Sequence, residues 1–295
     1  MLRHVGIECY PVFISTRNNG NIYQHNMLTR RFNYLIVDVF YNGKEYLLDA
    51  TEPSMKFNEL PFRCINGKGL IMKENSEMWA DLLRNEHYDS KVSIQLSLNS
   101  ELNLEGKIRK SLDSYSAFNI RKKIETTSLE QYVDNIKKNS TSENIDGYSI
   151  ENIDNPDKKL EISYNFKSKE SLDIIENKIF INPLYDKNYE SNPFKNVTRH
   201  YPVDLGVPIK ETVMAVFQIP NGYTVESLPN SAMVQLPENA GNFSFSVTQQ
   251  DDKVTITSRL SINKVEFSVE EYPFLKEFFD HIINNQSQQI VLKKI

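Results

Sequence analysis

The sequence predicts an α+β fold that is mainly β and that changes character near residue 90. Three observations carry this. From Lys91 onward, short runs of alternating apolar and polar residues recur between Pro, Asn and Gly, the pattern of an antiparallel β-sandwich. Before that, Phe32 to Pro53 (FNYLIVDVFYNGKEYLLDATEP) reads as a hairpin. At the other end, Phe274, Leu275, Phe278, Phe279, Ile282 and Ile283 repeat at helical spacing, with Pro273 suited to the first helical position. The expected division is 1–90 as one part and 91–295 as a β-sandwich with inserted and terminal helices.

Composition narrows the classes of function. The 295 residues are 39% apolar and 25% charged, as in a globular chain with a sizeable core. No apolar run approaches the ~20 residues of a membrane helix, so an integral membrane protein is not expected. The first ten residues lack the basic and apolar regions of a signal peptide. Net charge is −5, from 34 basic and 39 acidic residues, which argues against a nucleic-acid partner and leaves protein or peptide. Cys9 and Cys64 are too few for a disulfide framework. His4, His25, His87, His200 and His281 have no metal-ligand spacing, and no GxGxxG or P-loop pattern occurs, so neither metal nor cofactor is expected.

Taken in order, Met1–Val5 reads as the last turn of a helix stopped by Gly6. Ile7–Thr16 is a strand rich in β-branched and aromatic residues, with Pro11 marking an edge or a kink. After the polar loop 17–31 comes the central hairpin. Residues 34 to 41 are almost all apolar, Asp38 being the exception, and Asn42-Gly43 is the signature of a two-residue type I′ turn. Asp49 lies where the second strand ends. Residues 54–90 read as irregular, with turn chemistry at Leu60-Pro61-Phe62 and Asn66-Gly67-Lys68-Gly69. Trp79 is a packing anchor in a helical turn or a strand approach. Val92, Ile94, Leu96 and Leu98 alternate with polar residues, and Leu102–Ile108 supplies the hairpin partner. Ser116–Asn139 is helical, with a capping box at Ser128 and Gln131. Residues 139–147 read as a loop. Strands follow at 148–153, 160–166, 173–181, 212–218, 223–228, 232–236, 242–249 and 253–262, interrupted by a packed Pro/Asn-rich loop over 182–208. Gln289–Leu292 is a closing strand.

The hairpin resembles the last part of a transglutaminase-like, papain-type core. There a Cys at a helix N-terminus attacks an acyl carbon, a His on a following strand takes its proton, and an Asp on the next strand orients the His. Asp49-Ala50-Thr51 matches the acid, and counting back places Tyr34 at the His position. More narrowly, the chain resembles the C-terminal part of exported Bacteroidetes transglutaminase-like proteins with flanking β-domains of unknown function (DUF3857- and DUF3858-like). The stretches that carry this are residues 2–12, Tyr46 to Pro53, Leu60-Pro61-Phe62-Arg63-Cys64-Ile65-Asn66-Gly67, Asn192-Pro193-Phe194 with Pro202-Val203-Asp204-Leu205-Gly206, and Gln289 to Lys294. The resemblance implies that 1–90 is the C-terminal half of a transglutaminase-like core, and that the location is periplasmic or cell-surface.

Three departures bear on activity. The nucleophile helix belongs before Gly6, and five residues precede it here. Cys9 lies inside the following strand and Cys64 beyond the acid. A phenol of pKa near 10 stands where the base belongs. Asp49 is therefore either a turn-former whose carboxylate caps nearby N–H groups or a surviving site acid. Tyr34 is a cross-strand packing residue, and both thiols are small buried hydrophobes. The expected function is non-catalytic, with a binding or structural role at the cell envelope. Two alternatives stand: the C-terminal portion of a cysteine peptidase or amidase whose nucleophile lies upstream, and a carbohydrate- or protein-binding sandwich module.

Overall fold

The computed structural model describes residues 2–25, 29–84, 86–139, 143–172, 174–184 and 189–295. It contains two compact units. One comprises residues 1–87 together with 154–157, the other 88–153 with 158–295.

The first unit is built on a five-stranded antiparallel sheet of order β3-β2-β1-β4-β5. Leu2–Val5 forms a single 3₁₀ turn, closed by Gly6 at φ 79°. β1 (Glu8–Ile14) then runs down the middle of the sheet, not along its edge as Pro11 suggests. Pro11 is tolerated because it pairs with Val37 of β2 (Tyr34–Tyr41), whereas β4 (Lys68–Lys73) engages β1 only at Val12 and Phe13. β2 turns through Asn42 and Gly43, both at positive φ (50° and 72°), into β3 (Lys44–Leu48). This is the type I′ hairpin that the sequence predicts. The irregular stretch expected over 54–90 instead contains a second hairpin, β4 with β5 (Ser76–Asp81), which turns at Asn75. Trp79 is a strand residue opposite Leu70 and is only half-buried.

The second unit has an eight-stranded sheet of order β14-β15-β16-β12-β6-β7-β9-β8. Its members are β6 (Tyr88–Leu98), β7 (Asn103–Asp113), β8 (Glu143–Glu151), β9 (Leu160–Ser171), β12 (Ile209–Gln218), β14 (Ala232–Gln235), β15 (Gly241–Gln250) and β16 (Lys253–Ile262). All neighbours are antiparallel except β12 and β6. Between β7 and β8 the chain forms α1 (Ser114–Thr127) and α2 (Leu129–Asn139). They part at Ser128, whose Oγ accepts from Gln131 N at 3.2 Å, as the capping box requires. β8 starts at Glu143, so part of the expected loop 139–147 is strand. A three-stranded sheet combines β10 (Lys178–Ile181), β13 (Tyr223–Ser227) and β18 (Ile290–Lys294), with β18 in the centre. A two-residue ladder, β11 (Val203–Asp204) with β17 (Glu266–Phe267), has no counterpart in the sequence reading.

One core holds this unit together. Register sets Ile256, Ala215, Ile94 and Ile108 in a row across β16, β12, β6 and β7, all at most 1% exposed. Ile179, Ile181, Ile290 and Leu292 of the small sheet join the same cluster. So do Leu275, Phe278, Phe279 and Ile282 of the terminal helix α3 (Tyr272–Gln286). Phe274, included in the expected apolar face, is exposed. Within the expected loop 182–208, Leu184 and Phe194 are buried, and Phe194 meets the Phe279 ring edge-on at 5.0 Å. Tyr201 points outward instead, and Tyr185 lies outside the described residues.

Two positions make the fold testable. Gly106 of β7 packs so tightly that a Cβ there would lie 1.9 Å from the Gln95 carbonyl oxygen of β6, with the Phe166 ring at 3.2 Å behind it. Gly106→Ala must push two paired backbones apart, and an overpacked site of this kind loses about 1–3 kcal/mol. A urea midpoint unchanged from wild type would contradict this.

The second position is Asp38, buried at 0% exposure within β2 between Tyr10 and Leu47 in the ladder. Neither carboxylate oxygen has a hydrogen-bond partner among the described residues. Burial first, and the Glu45 carboxylate second, push its pKa from 3.8 up to about 6, with Arg84 opposing. Between those two values the folded protein keeps a proton that the unfolded chain has released. Stability therefore falls as pH rises through that window, and the loss is complete above about 6. Asp38→Asn should raise the melting temperature at neutral pH and leave it nearly unchanged below the ordinary carboxylate pKa. An equal shift at both pH values would argue that charge is not the cost.

Candidate functional site

The site is assembled where the central hairpin opens. Tyr34 is the first residue of β2 and Asp49 the first after β3, so antiparallel pairing returns the acid to the start of the strand it left. Tyr34 Oη donates to Asp49 Oδ2 at 2.9 Å. The two residues singled out from sequence are therefore brought into direct contact. Asp49 is not a solvated turn residue, because its side chain is only 2% exposed.

A carboxylate removed from water needs donors, and local sequence supplies several. Asp-x-Thr spacing lets Thr51 serve Asp49 Oδ1 twice, from its backbone N–H at 2.9 Å and from its hydroxyl at 2.6 Å. The remaining partners come from the 3₁₀ turn Phe62–Cys64, started by Pro61. Arg63 Nη2 lies 3.7 Å from Asp49 Oδ2, while Nη1 donates to Glu52 Oε1 at 2.7 Å. Arg63 Nη2 also donates to Tyr34 Oη at 3.1 Å and to the Thr51 hydroxyl. Cys64 Sγ is 3.6 Å from Asp49 Oδ2, within reach of a thiol hydrogen bond. The sequence reading missed Arg63 and the approach of Cys64. The Pro61 turn was legible, but nothing local says that it folds back onto a residue 14 positions earlier.

The arrangement has a definite proton order. Tyr34 and Thr51 each have one hydroxyl proton, and both give it to Asp49. The hydroxyl oxygens then face Arg63 as acceptors. The Tyr34 hydroxyl is thus held between Asp49 and Arg63, with the Thr51 hydroxyl oxygen 3.0 Å away.

Cys64 is also unsuited to nucleophilic work. It is 0% exposed, and burial, followed by the negative charge of Asp49, pushes the thiol up to about 12, although Arg63 opposes this. Cys9 lies on β1, among the residues of the central strand.

The loop after Asp49 is tied down by two buried or partly buried acceptors. Asn58 Oδ1 accepts from Leu47 N, and Glu86 accepts from Leu60 N at 2.9 Å and from Arg84 N at 2.8 Å. The cavity between Asp49 and this loop measures about 230 Å³. That is below the ~300–1,000 Å³ of ligand pockets. Among the described residues no group of acids, histidines and cysteines could hold a metal ion, and no helix is long and apolar enough to cross a membrane.

Comparison with known proteins adds the following. Residues 177–292 match a family described as a domain of unknown function with solved structure, DUF3858. No curated protein matches the chain. Among solved structures, a crystal structure described as that of a proposed protease from Parabacteroides distasonis is similar, with a TM-score of 0.51 and 11% sequence identity. The likeness covers 99% of this chain and 41% of that one. The chain thus spans about two fifths of the length of that structure, and at this identity the likeness is one of fold.

Proposed function

We propose that this chain is a non-catalytic portion of a transglutaminase-like protein, with a binding or structural role at the cell envelope. The observation that carries this reading is the hydrogen bond from Tyr34 to Asp49. It occupies the place where the resemblance puts a base and its orienting acid, and it closes that place. The acid is kept, but its four hydrogen bonds, from Tyr34, Thr51 and Cys64, and Arg63's charge use it to fix the end of a hairpin. Tyr34 stands in the base position whatever sequence adjoins this chain. The likeness to a longer proposed protease and the DUF3858 match over 177–292 support the ancestry.

A second reading has a specific observation behind it. The similar structure is more than twice as long as the aligned part, which favours a whole protein in which another region supplies a nucleophile. In that case the present residues contribute the acid alone, and Tyr34 must be displaced from Asp49 before any base can use it.

The test uses peptide and amide substrates with a thiol-reactive readout. Wild type and Tyr34→His should both show no thiol-dependent turnover. Iodoacetamide should label Cys64 only after unfolding, as expected of a fully buried thiol with a pKa near 12. Turnover by the wild type that Cys64→Ser abolishes would overturn the reading.

A further inference from the structure

The eight-stranded sheet of the second unit ends in two edges, and they are protected differently. β8 carries exposed Asp146 and Glu151 and a break in register between Asp146 and Ser149, two of the usual ways to blunt a sheet edge. β14, at the other edge, reads Ala232-Met233-Val234-Gln235. It has no charge, proline or bulge, and the Met233 side chain is 82% exposed. An edge of this kind is a template for another strand.

Pairing with β15 decides which backbone groups of β14 are available. Leu236 N–H donates to the Gly241 carbonyl oxygen at 2.9 Å, so the alternation of an antiparallel ladder turns the backbone groups of Val234 and Ala232 toward β15 as well. Met233 and Gln235 then direct their N–H and C=O groups outward. Among the described residues no strand pairs with that side.

Helix α3 runs beside this edge. Phe274, Glu277, Phe278 and His281 recur at i, i+3, i+4 and i+7 and so share one face of it. With Val234 and Leu236 they line a groove that holds a cavity of about 230 Å³. Leu236 and Phe278 are buried and form its floor, while Phe274 on the rim is 54% exposed. The cavity is smaller than the ~300–1,000 Å³ of small-molecule pockets and suits a single side chain. Phe274 to His281 covers roughly 10 Å of helix at ~1.5 Å per residue, about three residues of a strand at ~3.3 Å each. An open backbone edge, a helix beside it and an apolar slot between them are what an added strand requires.

Charge narrows the partner. The charged lining is Glu277, whose side chain is 72% exposed, and His281, whose Nε2 lies 3.9 Å from Glu277 Oε1 and is charged only when protonated. Nearby lysines are engaged elsewhere, Lys264 on Glu271 and Lys276 on the Phe194 carbonyl oxygen. With His281 neutral, the groove favours a cation beside its apolar slot.

We propose that the groove between β14 and α3 binds an extended segment of another protein by strand addition. The segment pairs its backbone with Met233 and Gln235, sets one apolar side chain in the slot between Val234 and Phe274, and places a Lys or Arg two positions away on Glu277. This inference is independent of the reading of the Tyr34–Asp49 site.

Calorimetric titration of the full chain at pH 8 with Thr-Thr-Leu-Thr-Lys-Thr-Thr and Thr-Thr-Lys-Thr-Leu-Thr-Thr tests it. At least one of the two should bind saturably and one-to-one. Replacing its Lys by Glu should weaken binding about threefold or more, and Glu277→Lys should reverse that preference. Two further forms of the better peptide, N-methylated at the odd or at the even residues, separate strand addition from simple apolar adhesion. One form should lose about tenfold or more, because it lacks the N–H groups that face β14, and the other should bind nearly as the parent does. Equal loss from both forms, no preference for Lys over Glu, or no saturable heat at millimolar peptide would each overturn the proposal. So would a concentration-dependent dimer in sedimentation that Met233→Pro dissolves, since the edge would then serve a second copy of the chain. The peptide comparisons on the wild type decide the matter even if a variant fails to fold.

Discussion

The first unit depends on how one buried carboxylate is satisfied. Asp49 is almost wholly withdrawn from water, and a charge in that position persists only if the protein surrounds it with donors. Tyr34, Thr51 and Cys64 are those donors, and Arg63 brings the compensating charge. Each donor comes from a different feature: the start of a strand, the residue two beyond the acid, and a 3₁₀ turn after a proline. The hairpin register, the Asn42-Gly43 turn and the loop held by Asn58 and Glu86 all serve to bring these to one point. Both hydroxyl protons are directed at Asp49 and both hydroxyl oxygens accept from Arg63.

The second unit applies the same rule with a different result. Its large sheet buries apolar rows against α3 and the small sheet, yet at one end Ser90 occupies a position that belongs to the core face. Ser90 is buried without a partner. Asp38 in the first unit is likewise unpartnered, and its cost is expressed as a raised pKa.

Much of the fold was legible because it rests on periodicity and turn chemistry. Val92, Ile94 and Leu96 alternate because one face of β6 is core, and Asn42-Gly43 has the two positive φ values that a type I′ turn demands. The unread elements have physical reasons. Gly69 looks like a turn glycine, but it is a strand residue at which a Cβ would meet Val12 and Ile14 side chains at 2.6 and 2.7 Å, so β4 was hidden. β8 is an edge strand with Asn144, Asp146 and Glu151 exposed, which gives it the composition of a loop. Pro11 suggested an edge because sequence cannot show that pairing on one side begins only at Val12. At the site, Tyr34 and Asp49 were picked out by the resemblance to a transglutaminase-like hairpin. Arg63 was not, since its role depends on a turn folding back across the hairpin mouth.

The account stands on the coupling between Tyr34 and Asp49, and a double-mutant cycle measures it directly. Tyr34→Phe, Asp49→Asn and the double variant are compared by denaturant unfolding at neutral pH. A hydrogen bond to a buried charge predicts a coupling of about 1.5–3 kcal/mol, with the second substitution costing much less once the first is made. Strict additivity, within about 0.3–0.5 kcal/mol, would mean that the two residues do not hold each other and that Asp49 is kept for something else.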